Sequence, residues 1–162
     1  MKTQLFKSAL AATVLFGAIG CGGPAANPLV GTWRASLSAS GIDGNSTLTL
    51  NANGTASLSA IFTGGMAGGM TVTCTGPGLT YTGLTWTSTA TTLSITGTPM
   101  CSGMISCMVG GMSQDFGCST AGMNMTEGLS SAMYTLTNNN NTLTITTTSM
   151  GMSSMQSFSR QM

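Results

Sequence analysis

Residues 98 to 118, TPMCSGMISCMVGGMSQDFGC, set Met100, Met104, Met108 and Met112 four apart and thread Cys101, Cys107 and Cys118 among them. Thioethers are soft donors. In a chain without histidine such a set could hold Cu(I), which accepts sulfur ligands at low coordination number. The same residues also read as adaptable apolar filler in a loop tied by disulfides. A helix would stripe the four methionines, but Gly103, Gly110 and Gly111 would each cost that helix about 1 kcal/mol. On an extended strand the four even positions share a face, and Cys101, Ile105, Cys107 and Val109 point the other way. Met66 and Met70, or Met150, Met152 and Met155, would be further ligand pairs.

Other chemistry has little to work with. The chain carries four Lys/Arg and three Asp/Glu, for a net charge of +1. General acid–base or nucleophilic catalysis wants a base that titrates near neutral pH or an activated nucleophile. Asp43 lies in SGIDGN, which reads as turn chemistry, and Asp115 and Glu127 are isolated. Zinc is disfavoured because CSGMISC lacks the paired CxxC spacing. TGGMAGGM, residues 63 to 70, has no Lys-Ser/Thr after it and reads as a hairpin loop rather than a phosphate cradle. No basic footprint for nucleic acid can be assembled from Arg34 and Arg160. The expectation is a protein that is not an enzyme and needs no cofactor unless Cu(I).

The chain's address is plainer. Lys2 and Lys7 precede an apolar run from Ser8 to Ile19, too short to span a bilayer and suited to a signal peptide over residues 1 to 20. AIGC then resembles a bacterial lipobox ending on Cys21, with Ala18 where Leu is usual. Diacylation of Cys21 would anchor the protein to the cell envelope. With Gly22 and not Asp after it, the outer membrane is the expected destination. GGPAANP, residues 22 to 28, completes a lipidated tether over 21 to 28 that reaches at most roughly 25 Å. The remaining Cys74, Cys101, Cys107 and Cys118 then lie in an oxidising compartment and are expected to form two disulfides. Four cysteines allow three connectivities. The shared parity of Ile105, Cys107 and Val109, with a turn at GGMSQ, favours Cys107 with Cys118 and leaves Cys74 with Cys101.

The elements that would position these residues are strands. From Leu29 onward the period is two: Trp33, Ala35, Leu37 and Ala39 alternate with polar residues, as do Leu48 and Leu50, then Ala56, Leu58, Ala60 and Phe62. NANG, 51 to 54, marks a hairpin. Further strands are expected at 70 to 75, 79 to 88, 91 to 97 and 156 to 160, with a hairpin over 134 to 146. A bulge belongs near Gly83, where Leu79 and Tyr81 change parity with Leu84 and Trp86. Segments 84 to 96 and 134 to 146 echo each other at an offset of fifty, as Thr-rich hairpins also do without duplication. The fold class is all-β: an antiparallel up-and-down barrel of eight or nine strands over residues 29 to 162, with 98 to 130 as a disulfide-tied insertion. Trp33, Leu37, Leu58, Phe62, Leu93, Ile95, Leu136, Leu143, Ile145 and Phe158 should face inward.

PLVGTW, residues 28 to 33, with LTLNANGTAS, the two Thr-rich hairpins and a terminal FSR, resembles the bacterial lipocalin-like domains over roughly 28 to 97 and 131 to 160. That resemblance implies a closed barrel end where Gly31 and Trp33 sit under Arg160. It also implies a cavity for a small apolar ligand. Three function classes follow: a lipid-anchored carrier or sequestering protein, a soft-metal binder, and a structural envelope protein whose barrel is filled by side chains.

Overall fold

Alternating apolar and hydroxylic residues need one buried face per strand, and antiparallel neighbours joined by short turns supply it. The computed structural model describes residues 27–39, 41–118, 129–149 and 152–162. The strands are β1 (Gly31–Ala39), β2 (Ile42–Leu50), β3 (Thr55–Ala67), β4 (Met70–Ser88), β5 (Thr92–Val109), β6 (Met112–Gly117), β7 (Ala132–Thr137), β8 (Thr142–Ser149) and β9 (Met152–Arg160). A 3-10 turn, Leu129–Ser131, precedes β7. The sheet order is β4, β3, β2, β1, β9, β8, β7, β5, and β5 pairs back to β4. Eight strands therefore close into an antiparallel barrel, with β6 as an extra strand on β5. This is the expected architecture.

The interior follows the expected parity. Trp33, Leu58, Leu93, Ile95, Leu143, Ile145 and Phe158 are buried, and half-buried Phe62 and Leu136 pack against them. Leu37 lines an internal cavity. One end of the barrel is closed by the segment that enters it. Leu29 is fully buried there, and its carbonyl accepts a hydrogen bond from Trp33 Nε1 at 2.8 Å. Asn27 Oδ1 accepts from the Leu29 amide, so Asn27 and Pro28 belong to the fold and the expected tether is shorter by those two residues.

Three elements differ from the expected layout. Residues 98 to 109 are not an insertion but the outer half of β5, and 70 to 88 form one strand, not two. The expected breaks, after residues 75 and 97, fall beside Pro77 and Pro99, and each proline sits where the ladder slips. Register shifts fall between Thr75 and Gly78 and between Thr82 and Leu84. A residue without an amide proton is tolerated in a sheet at such a bulge. The shift beside Gly83 is the expected one. Asp43 lies within β2 and not in a turn, because the chain reverses between the paired Ala39 and Ile42. The two Thr-rich hairpins are not superposable either: Trp86 pairs with Ile95, whereas Leu136 pairs with Leu143 and not with Ile145.

Both disulfides form, with different partners from those expected. Cys74 bonds Cys107 and Cys101 bonds Cys118, replacing the expected Cys107 with Cys118 and Cys74 with Cys101. Cys74 and Cys107 are directly opposite in the β4/β5 ladder, 4.0 Å apart at Cα. Directly facing side chains are the closest neighbours a sheet offers, and they pre-empt any bond between Cys74 and Cys101.

Candidate functional site

The closed end is held by Arg160. It pairs with Trp33 across β1 and β9, and its guanidinium lies 4.2 Å from the Trp33 ring centroid. Its Nη1 donates to the Val30 carbonyl at 2.8 Å, its Nε to Asn140 O at 3.0 Å, and its Nη2 to Pro28 O. A planar cation in a nearly charge-free end needs carbonyls and an aromatic face, and it finds both. Gly31 leaves the room: a Cβ there would stand 2.7 Å from Arg160 Nη1, at a φ of +144° that side chains avoid. These three residues sit together as expected, in a structural role.

The methionines do not come together. Met100, Met104 and Met108 are exposed on the outer face of β5, and residues four apart on a strand are about 13 Å apart at Cα. Met112 leaves that face entirely. Gly110 and Gly111, with φ of 58° and 86°, make a two-residue turn of the kind that needs positive φ at both positions. The turn pairs Val109 with Met112 and Met108 with Ser113. Paired residues share a face, so Met112 is on the side of Ile105 and Cys107. The four thioethers expected to act together cannot converge on one ion. Cys101 and Cys107, two of the sulfurs beside them, are oxidised in disulfides. Cys21, Glu127 and Met150 lie outside the described residues.

What the sheet does build is a cavity of about 220 Å³ inside the barrel. Leu37, Leu48, Leu58, Ile145 and Phe158 supply its apolar wall, and Leu129 reaches it from the 3-10 turn. Thr147, Ser154 and Gln156 line it from the β8 and β9 side. In the β8/β9 ladder the pairs run Leu143 with Phe158, Ile145 with Gln156, and Thr147 with Ser154. The lining thus grows more polar away from the Arg160 end.

The wall formed by β1 to β3 contains one polar side chain at depth. Ser46 is 2% exposed, lines the cavity, and its Oγ has no hydrogen-bond partner. Its cross-strand neighbours are Ala35 on β1 and Ala60 on β3, whereas the next row is Trp33, Leu48 and Leu58. Small residues flank it on both sides, and the hydroxyl itself is sealed from water. Sequence reasoning missed Ser46 because it began the second strand at Leu48. The available signal was parity: in NSTLTL, Ser46 falls in step with Leu48 and Leu50, a polar residue on an apolar face.

The cavity adjoins a break in the barrel wall. β1 and β9 pair only at Trp33 with Arg160 and Arg34 with Ser159. Beyond these pairs the strands diverge around a cleft bounded by residues 34 to 38 and 154 to 159, and Leu37, Ser154 and Gln156 line both cleft and cavity. An internal space with a lateral opening, apolar walls and a few polar groups has the makings of a small-molecule site. Neither a protein-family model, nor a curated protein, nor a solved structure matches this chain.

Proposed function

We propose that this protein is a lipid-anchored envelope protein whose lipocalin-like barrel binds and sequesters a small, largely apolar molecule without converting it. The observation that carries this reading is the apolar cavity of about 220 Å³, which persists although Trp33, Trp86, Tyr81 and Phe158 are all packed into the interior. A cavity of roughly 150 Å³ lined by aliphatic and aromatic side chains accommodates benzene, so this one suits a molecule with one or two rings or a short branched chain. Its aliphatic, aromatic, hydroxyl and amide lining can hold and orient a ligand but supplies no base that exchanges protons near neutral pH. The lipobox-like AIGC and the preceding apolar run support an anchor at Cys21.

Naphthalene tests the reading. Added to the isotope-labelled protein, it is expected to shift the amide resonances of Ser46, Leu58, Ile145 and Phe158 with a Kd of roughly 10⁻³ to 10⁻⁵ M. Unchanged resonances at these residues would favour a filled barrel with a structural role in the envelope.

A further inference from the structure

We infer that the methionines on the outside of the barrel form a renewable sink for two-electron oxidants of the hypohalous-acid class, a role independent of the cavity. Methionine is an apolar residue that ordinarily fills cores, yet among the described residues the core holds none. Nine described methionines are half or more exposed. Six of them, Met66, Met70, Met100, Met104, Met108 and Met112, lie on the neighbouring strands β3 to β6. The stripe on β5 cannot converge on one ion, but an oxidant asks for no convergence: each exposed thioether reacts alone.

The rest of the chain lacks or shields the other groups such an oxidant attacks, which are thiols, imidazoles, amines, indoles and phenols. Histidine is absent, and the lysines are Lys2 and Lys7 of the expected signal peptide. Cys74, Cys101, Cys107 and Cys118 are already paired in disulfides. Trp33 and Trp86 are 0% and 7% exposed, with their indole N–H groups donated to the Leu29 and Asn51 carbonyls. Tyr81 is buried, and half-buried Tyr134 donates its hydroxyl to the Thr89 carbonyl. Electron-rich side chains are thus sparse or sheltered except for methionine, which the chain uses 14 times. Exposure of electron-rich sulfur decides where oxidation falls. A lone pair of the thioether attacks the chlorine of hypochlorous acid and the O–Cl bond breaks. Water then adds to the chlorosulfonium, chloride leaves, and one proton is released overall. Sulfur gives up two electrons, chlorine gains them, and the products are a methionine sulfoxide and chloride. A sulfoxide disrupts a protein by placing a polar group in packed apolar surroundings, but these side chains already stand in water. Reductases specific for each sulfoxide epimer return the thioether.

The experiment adds hypochlorous acid stepwise to the full, disulfide-bonded chain and reads peptide masses, tryptophan fluorescence and melting temperature. Wild type is compared with a variant carrying Met66→Leu, Met70→Leu, Met100→Leu, Met104→Leu, Met108→Leu and Met112→Leu. Before treatment the two should melt together, because leucine and methionine are of like volume. Wild type is expected to gain sulfoxides at all six positions before any tryptophan or tyrosine is modified, and then to melt within about 3 °C of the untreated protein. Methionine sulfoxide reductases, one for each epimer, should restore the six thioethers in the folded protein. The variant should take up about six fewer equivalents of oxidant before tryptophan fluorescence falls. Tryptophan or tyrosine modified ahead of the methionines, or a variant that takes up as much oxidant undamaged as wild type, would overturn the inference. So would a sulfoxide-bearing wild type or an untreated variant that melts well below the untreated wild type, since the methionines would then be packing residues. Sulfoxides that the reductases leave in place would overturn the renewal.

Discussion

At the scale of single residues, the closed end of the barrel depends on a guanidinium that binds in three directions. Lysine at position 160 would keep the charge but could not span Pro28, Val30 and Asn140 while lying flat on Trp33. Arg160→Lys is therefore expected to lower the free energy of unfolding by about 1–3 kcal/mol in a urea titration. Gly31→Ala should cost a comparable amount, because its methyl would stand only 2.7 Å from Nη1 at a φ of +144°. A variant as stable as wild type at either position would show that the clamp is incidental. This trio was legible in the sequence: Phe158 and Arg160 share parity, and GTW opens the first strand. Ser46 was not, because a serine among threonines carries no mark until the strand is extended back to it. The methionines were misleading for a related reason. Parity gave Met100, Met104 and Met108 their common face correctly, but a two-residue turn pairs residues of unlike parity, and Met112 lies beyond one.

At the scale of elements, the long hairpin of β4 and β5 decides the disulfides. Its strands pair Ser88 with Leu93 and Trp86 with Ile95, and the same count carried outward puts Cys74 opposite Cys107. Two bulges intervene, but one adds a residue on β5 and the other adds one on β4, so the register beyond them is restored. The pairing was within reach of the sequence. Ending strands at 75 and 97 hides it, because the ladder continues through bulges at Pro77 and Pro99. Peptide mapping under non-reducing conditions should recover Cys74 joined to Cys107 and Cys101 joined to Cys118. Finding Cys107 joined to Cys118 would contradict the β4/β5 register. The bonds close 33 and 17 residues of sequence, and loop-closure entropy gives each roughly 3–4 kcal/mol. Replacing Cys74 and Cys107 together by alanine should lower stability by that order in an unfolding titration, and the outer half of the hairpin should lose its amide protection first.

At the scale of the whole molecule, the barrel is turned toward water. Leucine, isoleucine and aromatic side chains fill its interior, while threonines such as Thr71, Thr73, Thr85, Thr87 and Thr135 face outward. Barrels that cross a membrane invert this arrangement, with an apolar outer band. The proposed anchor at Cys21 makes its own prediction: Cys21→Ser is expected to move the protein from the membrane to the soluble fraction, and an unchanged membrane pool would sink the anchor. The fold class was readable because period-two patterning survives in nearly every strand. The cavity was not, since its volume depends on how rows of alanine and leucine from different strands fall opposite one another. The most direct test of the account fills that volume. Leu37 lines both the cavity and the lateral cleft, so Leu37→Trp should occupy the space and block the opening. In calorimetric titrations of naphthalene, wild type should show saturable binding with a negative heat-capacity change, and a folded Leu37→Trp protein should show none. Equal binding by the two proteins would place the ligand elsewhere and contradict the barrel-cavity reading.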